Sequence, residues 1–337
     1  MPNMNRRSPP YGLFLACAGA LISCASRPAA LPPPPPAKGL PEQVRFLRPI
    51  EQAAQRVKNN DPALTKFFSQ DENMAISVMA DWDDFRVIYD LRAPRPSPGG
   101  AWEVDFSIQE TGSGERLEDT LLWTVSPGDS GVLLSLDDDY LDSWREYFDF
   151  FDLYDAKITF FVIGGCSPFC LEALERGHDI GYHTMNHLNL PKLSQEKFFQ
   201  ETLGEVESFR EAGVPLRSFA YPFGFSEPWM REALAGTYAV QRGFGVRYHL
   251  YDRAGIAAGY IASISIDNTI YKTDGEFEAA LTMMLRAAKF IGGDSIVPLT
   301  THTIDKDADW GISPRRLEFL FKTIRELKLR FYRYGDF

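Results

Sequence analysis

The chain has 337 residues, more than one average domain and fewer than three, and its 45% hydrophobic and 13% aromatic content is ample for a large core, which excludes wholesale disorder. The formal net charge of -11 argues against a nucleic-acid partner, because binding to a phosphate backbone relies on clustered Lys and Arg.

The first residues read as a targeting signal. Arg6 and Arg7 are basic, and residues 13–22 form an apolar run too short to span a bilayer. The run ends in "LISC", residues 21–24. This stretch resembles the lipobox of bacterial lipoproteins, which implies cleavage before Cys24, lipid on that residue and attachment to a membrane of the cell envelope. An ordinary secretory signal is the alternative. Ala25 rather than Asp after the cysteine favours the outer membrane or periplasmic face over inner-membrane retention. Residues 1–23 are therefore read as a signal peptide and 24–42 as a spacer. Its five consecutive prolines, residues 32–36, make a stiff polyproline II rod without a core.

Residues 43–128 read as a small region of one helix and several strands. Val44, Leu47, Ile50, Ala54 and Val57 recur at helical spacing over residues 41–60. "FRVIYDL", "AWEVDFSI" and "TLLWTV" are β-rich runs between Pro/Gly or polar loops. Trp102 and Trp123 are expected to be buried rather than to form a sugar platform.

From residue 129 to 337 strands alternate with helices. "VLLSL", "KITFFVIG", "HDIGYH", "SFAYPFG" and "IVPLTTH" read as strands; "WREYFDFFDLY", "CLEALERG", "QEKFFQETLGEVESFREAG" and "PRRLEFLFKTIRELK" read as helices. The alternation predicts a parallel sheet, open or closed into a barrel, with its chemistry at the carboxyl ends of the strands. Polar clusters lie there: Asp137, Asp138 and Asp139, then His183 with His187, and His302. On a helical turn His183 and His187 would share one face, suited to one metal ion. A third ligand from a carboxylate would leave open positions on the ion. Cys166 and Cys170 in "CSPFC" are a disulfide candidate in an oxidising compartment, Pro168 favouring the turn. A zinc site would need further ligands nearby. His178 reads as structural, and His249 as solvent-facing.

These residues resemble the polysaccharide deacetylase family with the NodB homology domain, carbohydrate esterase family 4. The family's acidic strand end appears as residues 135–139, "SLDDD"; its H-[S/T]-x-x-H as residues 183–187, "HTMNH"; its R-x-P-[Y/F] turn as residues 220–223, "AYPF"; and its L-x-x-H strand end as residues 299–302, "LTTH". The motifs run in the family's order from about Gly131 to the C-terminus. The resemblance implies a distorted (β/α) barrel of the NodB type and hydrolysis of N-acetyl groups on an acetylated, N-acetylhexosamine-containing polysaccharide. It implies a divalent metal, most often Zn2+, on Asp138, His183 and His187. Asp137 would be the general base and His302 the acid. The Phe223 N–H would bind the oxyanion, with Tyr221, Pro222, Phe223 and Leu299 around the acetyl group. Asp267, in "SISIDNT", could orient His302.

Two departures stand out. The motif arginine falls at Ala220, and "FAYPFG" is closest to the exported biofilm-polysaccharide de-N-acetylases, which often carry an arginine where this chain has Ser263. Asp137 therefore loses the partner that would keep its pKa low, and some other cation must serve. Asp139 replaces a glycine and could crowd the metal entrance, add a ligand or support the metal from a second layer, or point away. A lipid-anchored carbohydrate-binding or surface-assembly protein on a weakly catalytic fold, or an O-acetyl esterase, are the alternatives.

Overall fold

The computed structural model describes residues 47–59, 64, 66–70, 76–82, 84–123, 129–245, 249–291 and 294–337. Phe46–Phe337 form one compact unit. The expected signal peptide, Cys24 and proline-rich spacer lie outside the described residues.

The unit begins with α1 (Pro49–Lys58), then five strands: β1 (Lys66–Gln70), β2 (Ile76–Trp82), β3 (Phe85–Pro96), β4 (Trp102–Glu110) and β5 (Arg116–Trp123). These pair in chain order, each neighbour antiparallel. The strict alternation of burial along β4 leaves one face polar, as a sheet covered on one side requires. Its apolar face packs on Ile50, Ala53, Ala54 and Val57 of α1. Trp123 is buried there, and Trp102 packs edge-on to Phe290 at 5.8 Å. β1 and β2 were not expected: "KFFSQ" and "ISVMADW" are too short and mixed to carry a clear period.

The second part runs β6 (Gly131–Asp138), α2 (Leu141–Arg145), α3 (Phe148–Leu153), β7 (Thr159–Val162), α4 (Pro168–Glu175), β8 (Asp179–Tyr182), α5 (Gln195–Leu203) and α6 (Val206–Glu211). It continues β9 (Ser218–Ala220), α7 (Pro228–Leu234), β10 (Val240–Phe244), α8 (Arg253–Ala257), β11 (Tyr260–Ser265), α9 (Asp274–Ile291) and β12 (Ile296–Thr301). The pair β13 (Thr303–Ile304) and β14 (Gly311–Ile312), α10 (Pro314–Glu326) and β15 (Arg330–Tyr332) complete it. β6 to β12 are parallel neighbours in order, and β12 pairs back onto β6. The result is a closed seven-stranded parallel barrel with helices, the expected fold. β15 adds to β6 at Gly131, Val132 and Leu133, below the point where β7 joins it.

Two expected helices are each split. "WREYFDFFDLY" gives α2 and α3. The run after Ser194 breaks at Gly204, where a β-carbon would lie 2.6 Å from the Gln200 carbonyl and 2.9 Å from Met185.

The barrel interior is graded. Leu133, Phe161, Val240, Ile261 and Ile296 pack with Tyr332 and Tyr334 as an apolar floor. Above it the hydroxyls of Ser135, Ser263 and Thr300 form a chain, with Thr300 Oγ1 2.9 Å from Ser135 Oγ and 2.5 Å from Ser263 Oγ. With side chains alternating along a strand, the next inward positions are Asp137 on β6 and His302 after β12.

Candidate active site

Asp138 ends β6 with φ 90°, and Thr184, His187 and Phe223 also have positive φ. Of the six non-glycine residues with positive φ among the described residues, four lie at this end of the barrel. Such conformations are strained and persist where the surroundings enforce them, commonly at functional sites.

Asp138, His183 and His187 offer ligand atoms that all lie within 4.8 Å of one another. Asp138 Oδ1 is 3.4 Å from Nε2 of each histidine. His183 donates from Nδ1 to the Ala220 carbonyl at 2.8 Å, which fixes its tautomer and leaves Nε2 as a ligand atom. Burial and the neighbouring His183 pull His187 down to about 4, so it is neutral, as a ligand must be. Burial pushes the Asp138 carboxyl up, but His183, His302 and His187 outweigh it and hold it at about 2. Asp138 Oδ1 is nonetheless buried without a hydrogen-bond partner. An orphaned carboxylate oxygen facing two imidazole nitrogens is the donor set of a divalent cation. The three residues could hold a divalent metal ion.

His183 and His187 do not meet on a helical turn. Residues 183–187 form a loop after β8, because Thr184 and His187 are left-handed. Thr184 Oγ1 accepts from the His187 N–H at 2.9 Å. Glu201 on α5, fully buried, holds the middle of the loop: it accepts from the Asn186 N–H and from Asn186 Nδ2, both at 2.9 Å. The Glu201 carbonyl accepts from the Met185 N–H at 3.0 Å. Glu201 is a site residue the sequence reading missed. Its signal was a lone carboxylate on the apolar side of a helix.

Asp137 is fully buried, and Arg242 on β10, also fully buried, donates to it from Nη2. The cation absent from Ala220 and Ser263 is thus present one strand further on: Arg242 is the β10 register partner of Ala220. Arg242 is the other cation that Asp137 was expected to need in place of the missing motif arginines. The guanidinium also lies 4.5 Å from the Phe244 ring and 5.3 Å from that of Phe161. A charged residue within "VQRGF", a strand buried along nearly its whole length, was the available signal.

His302 follows β12, the strand neighbouring β6, and donates from Nδ1 to Asp267 Oδ2 at 2.9 Å. Asp267 is fully buried and also accepts from Thr301 Oγ1 and Ser265 Oγ. Burial pulls His302 down, but Asp267, then Asp137 and Asp138, raise it to about 9. It carries a proton at neutral pH. Trp144 Nε1 donates to the His302 carbonyl at 2.8 Å and fixes the backbone.

Other expectations require correction. Of the alternatives for Asp139, the structure shows the one in which it points away: it is exposed and, among the described residues, belongs to no ligand group, because the chain leaves the strand at Asp138. Tyr221 and Leu299 are fully buried in the core between barrel and helices, since the inward positions of their strands are Ala220 and Thr300. Tyr221 donates to Gln241 Oε1 at 2.5 Å. Pro222 is buried in the turn, while Phe223 is exposed, its ring 4.7 Å from that of His187. Cys166 and Cys170 are free thiols. Cys170 is buried on α4, and Cys166, just before that helix, is its neighbour: burial, then Cys170, push the Cys166 thiol up to about 12. His178 is structural: its Nδ1 accepts from the Ile158 N–H, and burial lowers it to about 4.

The family model described as "Polysaccharide deacetylase" matches residues 124–238. A curated relative, a peptidoglycan-N-acetylglucosamine deacetylase of Bacillus cereus, is 31% identical over 116 residues, which span 29% of this chain and 54% of the relative. The chain therefore matches about half the length of that relative. Among solved structures, the chitin deacetylase of Colletotrichum lindemuthianum is 16% identical, with a TM-score of 0.44 over 62% of this chain and 88% of that one. A peptidoglycan deacetylase of Bacillus subtilis is 13% identical, with a TM-score of 0.43 over 63% and 91%.

Proposed function

We propose that this chain is a metal-dependent hydrolase that removes N-acetyl groups from an N-acetylhexosamine-containing polysaccharide. The observation that carries the reading is the pairing of roles at the ends of two neighbouring strands, β6 and β12. Asp137, held by Arg242 beside the ligand triad, faces a proton-bearing His302 held by Asp267. The name of the matched Bacillus cereus relative supports the same substrate class.

Asp138, His183 and His187 would hold the cation, with Zn2+ favoured by two imidazoles and one carboxylate. When bound, the ion supplies Lewis acidity toward water and the amide carbonyl. Asp137 takes a proton from the attacking water as its oxygen bonds to the carbonyl carbon. The Phe223 N–H steadies the oxyanion. His302 gives its proton to the departing nitrogen as the C–N bond breaks, and the products are acetate and a free amine. Asp267 holds the His302 ring so that Nε2 carries that proton.

The proposal includes location. The basic start, the apolar run and "LISC" support a lipoprotein signal over residues 1–23, lipid on Cys24 and residence in the cell envelope.

The test is acetate release from N-acetylglucosamine oligomers together with bound-metal analysis. Wild type should bind one ion per chain and release acetate. Asp137→Asn should keep the ion and lose about 10²–10⁴ in rate. Metal-loaded wild type that releases no acetate from any acetylated glycan would sink the proposal.

A further inference from the structure

The large aromatic side chains exposed among the described residues are Tyr140, Phe223, Phe225 and Trp310; the other exposed large hydrophobics are aliphatic. All four aromatics lie in loops that follow the carboxyl ends of barrel strands. Tyr140 follows β6, Phe223 and Phe225 follow β9, and Trp310 lies between β13 and β14, beyond β12. Scattered surface hydrophobics need no explanation, but restriction of every exposed ring to one end of a barrel does.

The four form two groups. The Phe223 ring is 4.7 Å from His187 and 6.4 Å from Phe225. Trp310 is 6.0 Å from His302, and Tyr140 follows the strand beside β12. In a ring of seven strands, β9 and β12 stand three apart one way and four the other. The groups therefore flank the ligand triad from opposite sides. The Trp310 loop is also preset: Asn268 Nδ2 donates to the carbonyls of Asp305 and Ala308 at 3.0 and 2.9 Å, and the Asn268 N–H donates to the Gly311 carbonyl at 2.7 Å.

The chemistry that suits separate, water-exposed rings is a hexose, whose C–H face stacks on an aromatic while its hydroxyl edge stays hydrated. A polyanion is disfavoured by Asp139, Asp307 and Asp309 in the same loops and by the net charge of -11. We propose that Phe225 and Trp310 are sugar-stacking positions on either side of the reacting unit, so that this chain acts on internal units of a glycan of at least three sugars. This rests on the deacetylase reading for the identity of the reacting unit.

The test uses N-acetylglucosamine oligomers of one to six units, in β-1,4 and β-1,6 linkage. Binding is measured by calorimetry on metal-loaded Asp137→Asn, and KM and kcat on wild type. Affinity is expected to climb from one unit to at least three. Phe225→Ala and Trp310→Ala should each weaken binding of the longer oligomers, or raise KM, by about three- to tenfold. They should leave kcat, metal content and binding of the single sugar unchanged, and Trp310→Phe should restore most of the loss. Equal affinity at every length, or equal behaviour of both variants and wild type, overturns the inference. Length-dependent binding that both variants weaken, without acetate release, upholds the stacking positions and refutes the deacetylase reading instead.

Discussion

The two sheets of this molecule use charge in opposite ways. On the small antiparallel sheet, Arg95 bridges Asp105 and Glu103 with side chains 48%, 51% and 45% exposed, and Arg92–Asp90 and Arg86–Asp81 are likewise at the surface. Such pairs are screened by water and contribute little. In the barrel, Arg242 and Asp137 are both 0% exposed. A buried pair gains little over an apolar replacement, because desolvation offsets its attraction. Its retention beneath the ligand triad therefore points to chemistry and not to stability. The same contrast holds for the backbone: the small sheet has no non-glycine residue with positive φ among the described residues, whereas the barrel has them at Asp138, Thr184, His187 and Phe223.

The contrast can be broken by experiment. The largest effect is expected at the triad: Asp138→Ala or His183→Ala should reduce bound metal to background, with activity following, as read by elemental analysis. Next is Arg242→Met, which strands a buried carboxylate and should cost about 3–5 kcal/mol in chemical denaturation. Combining it with Asp137→Leu should return most of that stability without returning activity. If Arg242→Met were as stable as wild type, the barrel pair would be no different from those of the small sheet.

Glu201→Ala sharpens the comparison at a distance from the ligands. Freed of its clamp at Asn186, the loop should bind metal about 10–100-fold more weakly in chelator competition, a larger effect than any on the melting temperature of the metal-free protein. A subtler readout is His302. In metal-free protein its imidazole should titrate near 9 by NMR and move downward in Asp267→Asn. Since the folded value lies above the unfolded one, about 6.5, the group's contribution to stability is full below about pH 6.5 and lost as pH rises through 9. The smallest effect is Arg95→Met, which should change neither activity nor denaturation midpoint measurably.

What could be read in advance followed the physics of local pattern. The barrel strands are short, largely buried and spaced by helices, and the candidate site residues sit within five residues of a strand end, so Asp138, His183, His187 and His302 were legible. Arg242 was not, because its meaning comes from register: it lies beside Ala220 and 105 residues from Asp137, and no local spacing encodes that. The placement of Tyr221 and Leu299 failed for the converse reason. Period-two alternation from the inward Ala220 and His302 sends both outward, a constraint that motif matching ignores. The split at Gly204 depended on a close approach to Met185, which only the folded chain reveals.

The order of the strands has a consequence for how function is lost. All three residues of the candidate metal site come from β6 and the loop after β8, two strands joined through β7. His302 instead follows β12, whose pairing to β6 joins residues such as Ser135 and Thr300, 165 positions apart. Loosening of that single seam would carry His302 away and leave the cluster of Asp138, His183 and His187 whole, which under the proposed roles separates the acid from the cation site. Under gradual denaturation turnover should therefore vanish before the ion departs, and a chain that still holds its metal can already be inactive.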